Sequence, residues 1–119
     1  ILPSPRSCNF FLIHQKAPGK RLWQVRHTLS AMQRAELASR LFGILRNWRN
    51  IGFVHGDLSP RNILVEEMNM QIHCIDWLLD LESRSGTPAY SHPELFQGAP
   101  HGQCHDYYAA EKIIEELEI

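Results

Sequence analysis

Residues 55–62, His-Gly-Asp-Leu-Ser-Pro-Arg-Asn, place the Asp57 carboxylate and the Asn62 amide in one short polar loop. A second carboxylate, Asp76, follows in Ile75-Asp76-Trp77. Between them lie two short apolar runs, Ile63-Leu64-Val65 and Ile72 to Ile75, joined by the polar turn Glu66 to Asn69. That is the pattern of a β-hairpin. A hairpin returns its chain to the starting point, so Asn62 before the first strand and Asp76 after the second become neighbours. Asp57 lies on the loop feeding the same end. Two carboxylates and an amide oxygen there suit a magnesium ion and the phosphates it accompanies, because hard cations take oxygen ligands.

His101, Cys104 and His105 form a second cluster in His-Gly-Gln-Cys-His. Zinc would require a fourth ligand, and no Cys-x-x-Cys pair accompanies the group, so it reads as a polar loop. The three cysteines, Cys8, Cys74 and Cys104, are an odd number without disulfide-like spacing. They point to a reducing compartment, so the expected location is intracellular and cytoplasmic.

Positioning these groups requires framework elements. Ser30 and Gln33 make a capping box, and behind it Leu37, Leu41, Ile44, Leu45 and Trp48 recur at helical spacing. A helix is expected over about 30–49, with Arg34, Arg40, Arg46 and Arg49 mostly on its other faces. Gly43 weakens that helix by roughly 1 kcal/mol and is expected to permit close packing. Phe10 to Ile13 reads as a buried strand, Ala17-Pro18-Gly19 as a turn, and 20–28 as room for one short helix. Residues 80–104 carry Gly, Pro, Ser and His without period, a long loop. From Asp106, Tyr107, Ala110, Ile113, Ile114 and Leu117 fall on one side of a closing helix whose other side is rich in Glu.

Taken together, the ordered motifs resemble the catalytic half of the protein-kinase-like superfamily, of the eukaryotic Ser/Thr type. His55, Asp57 and Asn62 match its loop His-Arg-Asp-x-x-x-x-Asn, and Asp76 matches the aspartate of Asp-Phe-Gly. Gly-Thr-Pro-Ala-Tyr-Ser-His-Pro-Glu, residues 86–94, is similar to the end of an activation segment. Asp106 resembles the aspartate that braces the catalytic loop from below. The strand at 10–13 with Ala17 to Leu22 is similar to the hinge after the adenine pocket.

The resemblance implies ATP and magnesium as cofactors and residue roles to match. Asp57 would orient or deprotonate the acceptor hydroxyl, and Asn62 and Asp76 would hold the metal. Arg61 would stand in for a lysine that reaches the transferring phosphate, since Ser59 occupies the usual lysine position. His14 and Lys16, on the hinge, would face the nucleotide. His55, Thr87, Glu94 and Asp106 would support the loop and the activation segment. The implied fold is α+β, mainly α. It is a partial kinase-like C-lobe of long helix, catalytic loop, short hairpin, activation segment and helix, with a hinge strand in front. One domain is expected over 1–119: hinge at about 10–22, catalytic and activation segments at 53–95, final helix at about 105–118.

Departures from the pattern also carry information. Gly56 replaces the arginine that binds an activating phosphate, so control by activation-loop phosphorylation is not expected. His-Gly-Asp is common in small-molecule kinases of the aminoglycoside and choline type, the alternative enzymatic reading. Leu78 stands where Asp-Phe-Gly has its glycine, and Glu111 where the last helix normally has Gly. No glycine-rich loop or Val-Ala-Ile-Lys-like lysine can be placed, so a catalytically inactive kinase module serving in protein interaction is the third reading.

Composition sets the outer bounds. Lys plus Arg number 12 against 13 Asp plus Glu, a net charge of −1 that gives no bulk attraction to nucleic acid or membrane. No apolar run approaches a membrane span. The resemblance of residues 86–94 to a peptide-facing platform implies a protein substrate in preference to a small molecule.

Overall fold

The computed structural model describes residues 18–77 and 87–117. The hinge strand expected at 10–13, His14, Lys16, Leu78 and Cys8 lie outside the described residues, as do Gly86 and Glu118.

The long helix is the first organiser. Ser30 Oγ accepts from Gln33 N at 3.1 Å and Gln33 Oε1 accepts from Ser30 N at 2.8 Å, which closes the capping box. From it runs the helix Ala31–Ile51, which ends two residues later than the spacing predicts. It stops at Gly52, whose φ of 75° turns the chain left-handed while its N–H bonds back to the last carbonyls. Leu37, Leu41, Leu45 and Trp48 are the buried stripe. Gly43 corrects an expectation: an added Cβ there meets nothing within 4 Å, so the glycine permits no close approach.

In chain order the elements are β1 (Lys20–Arg21), α1 (Leu22–Val25), α2 (Ala31–Ile51), β2 (Ile63–Glu66), β3 (Gln71–Cys74), a 3₁₀ helix (Pro93–Gln97) and α3 (Gln103–Leu117). The hairpin forms as the apolar runs require, with Ile63 opposite Cys74 and Glu66 opposite Gln71. The tiny strand β1 pairs antiparallel to β2 and completes a three-stranded sheet. Gly19, before β1, has a φ of 101°, and a Cβ there would sit 2.7 Å from the Val65 carbonyl oxygen. Only glycine lets the chain approach β2 so closely.

The segment expected as one long loop contains a structured turn. His92 Nδ1 accepts from Glu94 N at 3.1 Å, Pro93 opens the 3₁₀ helix, and Gly98 at φ 98° ends it. A single turn has too few residues to show a period. Its signals were the Pro after a capping residue and the closing Gly.

Helices α2 and α3 pack side by side, and Ala110, Ile113 and Leu117 of α3 are buried. Their shared core continues under the sheet through Ile63, Val65, Ile72 and Cys74 and into the loop through Leu58. The loop 55–62 is therefore held against the core from beneath and ends at the sheet. Among the described residues, no helix is long and apolar enough to cross a membrane.

Candidate active site

The loop is anchored before it is used. Asp106, in the first turn of α3, accepts from His55 N at 2.8 Å and from Gly56 N at 3.0 Å. It is a bidentate clasp on two backbone donors, 3% exposed. Burial pushes its carboxyl pKa above the ordinary value of 3.8, and the two backbone donors oppose that rise.

His55 locks the same loop from inside. Its Nε2–H donates to the Ile75 carbonyl at 2.8 Å, and its Nδ1 accepts from Asp57 N at 3.1 Å. Both nitrogens are used by the neutral ring. Protonation would set a second N–H against the Asp57 amide. Burial lowers the pKa from 6.5 to about 4, with the Ile75 bond acting the other way. The ring stacks on Trp48, centroids 5.6 Å apart. His55 is thus a buried structural imidazole one residue from Gly56, whose φ of 88° turns the loop outward.

Asp57 emerges half-buried with its carboxylate gripped on both sides. Thr87 Oγ1–H donates to Oδ1 at 3.0 Å, and Asn62 Nδ2 donates to Oδ2 at 3.3 Å. Asn62 Nδ2 also donates to the Asp57 carbonyl at 2.8 Å, closing the loop on itself. Since the amide nitrogen of Asn62 is committed to Asp57, its carbonyl oxygen is the atom left to act as a ligand.

Asp76 is delivered by the hairpin. Ile75 N donates to the Asn62 carbonyl at 2.8 Å, extending the β2–β3 ladder by one pair beyond Ile63 and Cys74. The next residue, Asp76, has a φ of 56° and is exposed. A non-glycine residue in that conformation is uncommon and is often held there for a purpose. Asn62 Oδ1 and the Asp76 carboxylate are hard oxygen donors at one end of one hairpin, a set that fits magnesium.

Arg61 goes elsewhere. Its guanidinium carbon lies 4.9 Å from the centre of the Trp23 ring, and that of Arg26 lies 3.5 Å from the same ring. Ser59, at the usual lysine position, is 1% exposed and turned into the protein. Its Oγ has no hydrogen-bond partner. It cannot reach a substrate.

Glu94 hydrogen-bonds the His105 imidazole, which holds its carboxyl below the usual glutamate range. This is a link the sequence did not reveal, because the partners lie on different elements. His92, Glu94 and His105 bring ligand atoms within 4.8 Å of one another. Yet His105 Nδ1 accepts from Gly102 N at 2.8 Å and His92 Nδ1 accepts from Glu94 N at 3.1 Å. Each ring therefore carries its proton on Nε2, the nitrogen a cation would need. His92 caps the 3₁₀ helix and His105 the start of α3, and Glu94 links the two; of His-Gly-Gln-Cys-His, His105 is the member that takes part.

Tyr90 lies in the 86–94 segment, three residues after Thr87. Its hydroxyl donates to Glu116 at 2.7 Å, and its N–H donates to the Thr87 carbonyl at 3.0 Å. Burial first, then Glu116, pushes the phenol up to about 12. The turn that carries Thr87 to Asp57 is thereby fixed to α3.

No family model matches the chain. Among solved structures it is similar to the protein kinase PK-1 of the Cydia pomonella granulovirus, with a TM-score of 0.73 and 17% identity. The match covers 86% of this chain and 40% of that one, so the chain spans less than half of the kinase it resembles. At that identity the likeness speaks for the fold. The fold is protein-kinase-like, C-lobe portion only, α+β with about half of the described residues helical.

Proposed function

We propose that the chain is the catalytic part of an ATP- and magnesium-dependent phosphotransferase of the protein kinase type, acting on Ser or Thr of a protein. One observation carries the reading. The Asp57 carboxylate is held by Asn62 on one oxygen and by Thr87 on the other, on a loop clasped at its base by Asp106. A carboxylate fixed in that way is oriented to receive or align the proton of an acceptor hydroxyl.

Asn62 and Asp76 would hold magnesium, which when bound neutralises charge on the nucleotide phosphates. The chain's own work is positioning. Asp106 and His55 fix the path of the loop, Asn62 sets the Asp57 side chain, and Thr87 ties that side chain to the 87–94 segment. The bond from Thr87 favours a protein acceptor, since a peptide lying on that segment would meet Asp57 directly. His-Gly-Asp supports the second reading, a small-molecule kinase.

Labelled-phosphate transfer from Mg-ATP to a generic basic or acidic protein, run beside an aminoglycoside panel, separates the two. Asp57→Ala is expected to abolish transfer, and transfer that survives it refutes the assigned role. Absence of any thermal shift at millimolar Mg-ATP favours the non-catalytic interaction module instead.

A further inference from the structure

Three arginines converge beside the loop, Arg21, Arg26 and Arg61. Arg21, on β1, donates through Nη1 to the Arg61 carbonyl at 2.7 Å. Arg26 and Arg61 both lie over Trp23, at 3.5 Å and 4.9 Å, and Arg26 also donates to the Trp23 carbonyl. Trp23 is itself 38% exposed and is tied to the loop by its N–H, which donates to the Pro60 carbonyl at 2.9 Å. Among the described residues none of the three guanidinium groups enters an ion pair. The nearby Glu116 carboxylate accepts the Tyr90 hydroxyl at 2.7 Å.

Like charges gathered on a surface repel, and stacking on an indole compensates only in part. A guanidinium lying over a ring keeps edge N–H donors open to solvent, the geometry suited to bidentate carboxylate or phosphate binding. The place is specific. Arg61 precedes Asn62, whose amide binds Asp57, and Tyr90 closes the turn that begins at Thr87, the other Asp57 partner.

We propose that Arg21, Arg26 and Arg61, grouped around Trp23, form an anion subsite that selects acceptor peptides with acidic residues flanking the hydroxyl. The proposal rests on the phosphotransferase reading and names its substrate class. The chain's net charge of −1 conceals this local basic patch, which exists because β1, the end of α1 and the catalytic loop meet.

The test uses the 119-residue chain and three fluorescent peptides that differ only in the residues flanking one Ser: Glu, Gln or Lys. By anisotropy at low salt, the Glu peptide is expected to bind about tenfold more tightly than the Gln peptide, an advantage that declines with added salt. Arg26→Glu and the double variant Arg21→Glu/Arg26→Glu should remove that advantage and favour the Lys peptide. Arg26→Lys should retain part of it. Circular dichroism and urea midpoints check that each variant is folded, Arg21 being exposed and Arg26 half-buried.

Equal binding of the Glu and Gln peptides, or a preference unchanged by charge reversal, overturns the subsite. Competition by inorganic phosphate at the peptide's own affinity assigns it to free phosphate and overturns the peptide reading. Phosphate transfer to the same peptides tells the two proposals apart. An acidic binding preference without transfer removes the phosphotransferase reading and keeps the subsite. Transfer with no acidic preference does the reverse.

Discussion

Replacing Asp106 by Asn tests whether the loop 55–62 is held by one carboxylate on α3. The swap preserves shape, so no cavity forms, but an amide offers only one acceptor oxygen where the carboxylate offers two. Either His55 N, now at 2.8 Å, or Gly56 N, now at 3.0 Å, would then face an NH₂ group. One bond to a charged acceptor is lost, worth about 1.5–3 kcal/mol, and one buried N–H is left unmade at about 1–3 kcal/mol. Part of this is returned, because burial raises the Asp106 pKa and the ionised carboxylate therefore opposes folding at neutral pH. The expected net loss is about 2–3 kcal/mol, a large share of a typical ~5–15 kcal/mol domain stability. Urea titration followed by tryptophan fluorescence reads it, since Trp48 stacks on His55 and senses the loop. At a slope of about 1–3 kcal/mol/M the midpoint falls by roughly 0.7–3 M. A loss below about 0.5 kcal/mol, with hydrogen exchange at His55 and Gly56 unchanged, would show that the clasp does not hold the loop.

Other consequences are as direct. His55 has a folded pKa of about 4 against an ordinary 6.5, so the unfolded chain binds the extra proton between those values. Its contribution is full above pH 6.5 and is lost as pH falls to 4, by about 3 kcal/mol at 1.36 kcal/mol per unit. The stability gap between wild type and His55→Gln should therefore shrink on acidification, and a gap constant with pH refutes the assignment. Gly43→Ala meets no neighbour within 4 Å, so it should stabilise by about 1 kcal/mol through helix propensity, raising the urea midpoint. In a Cys8→Ser background at pH 8, Cys104 is exposed and should alkylate, whereas Cys74 should react only after unfolding. Burial first and the Asp106 charge second push the Cys74 thiol up to about 12.

Much of the framework was legible because it is local. The capping box at Ser30, the apolar stripe from Leu37 to Trp48 and the two β-branched runs each state their structure within a window of a few residues. From the hairpin alone it followed that Asn62 and Asp76 must meet, since a period-2 ladder with a tight turn has no other return path. The placement of Asp57, Asn62 and Asp76 at one end was thus a property of spacing. So was the closing helix, whose apolar side from Tyr107 to Leu117 packs as its 3.6-residue period requires.

What the chain order could not supply was direction. Arg61 has the charge for a phosphate contact, yet its side chain lies over Trp23, far away in the sequence, because β1 pairs with β2. Ser59 turns inward, and Gly43 faces open space where close packing was expected. Thr87 on Asp57, Glu94 on His105 and Tyr90 on Glu116 join separate elements. None of these pairs shares a short sequence interval, so no periodicity reports them. Sequence by itself determined which polar and ionisable residues are present, and in what order along which elements. Tertiary structure alone decided where each side chain points, because that depends on packing between segments far apart in the chain, where burial and hydrogen-bond satisfaction choose among rotamers.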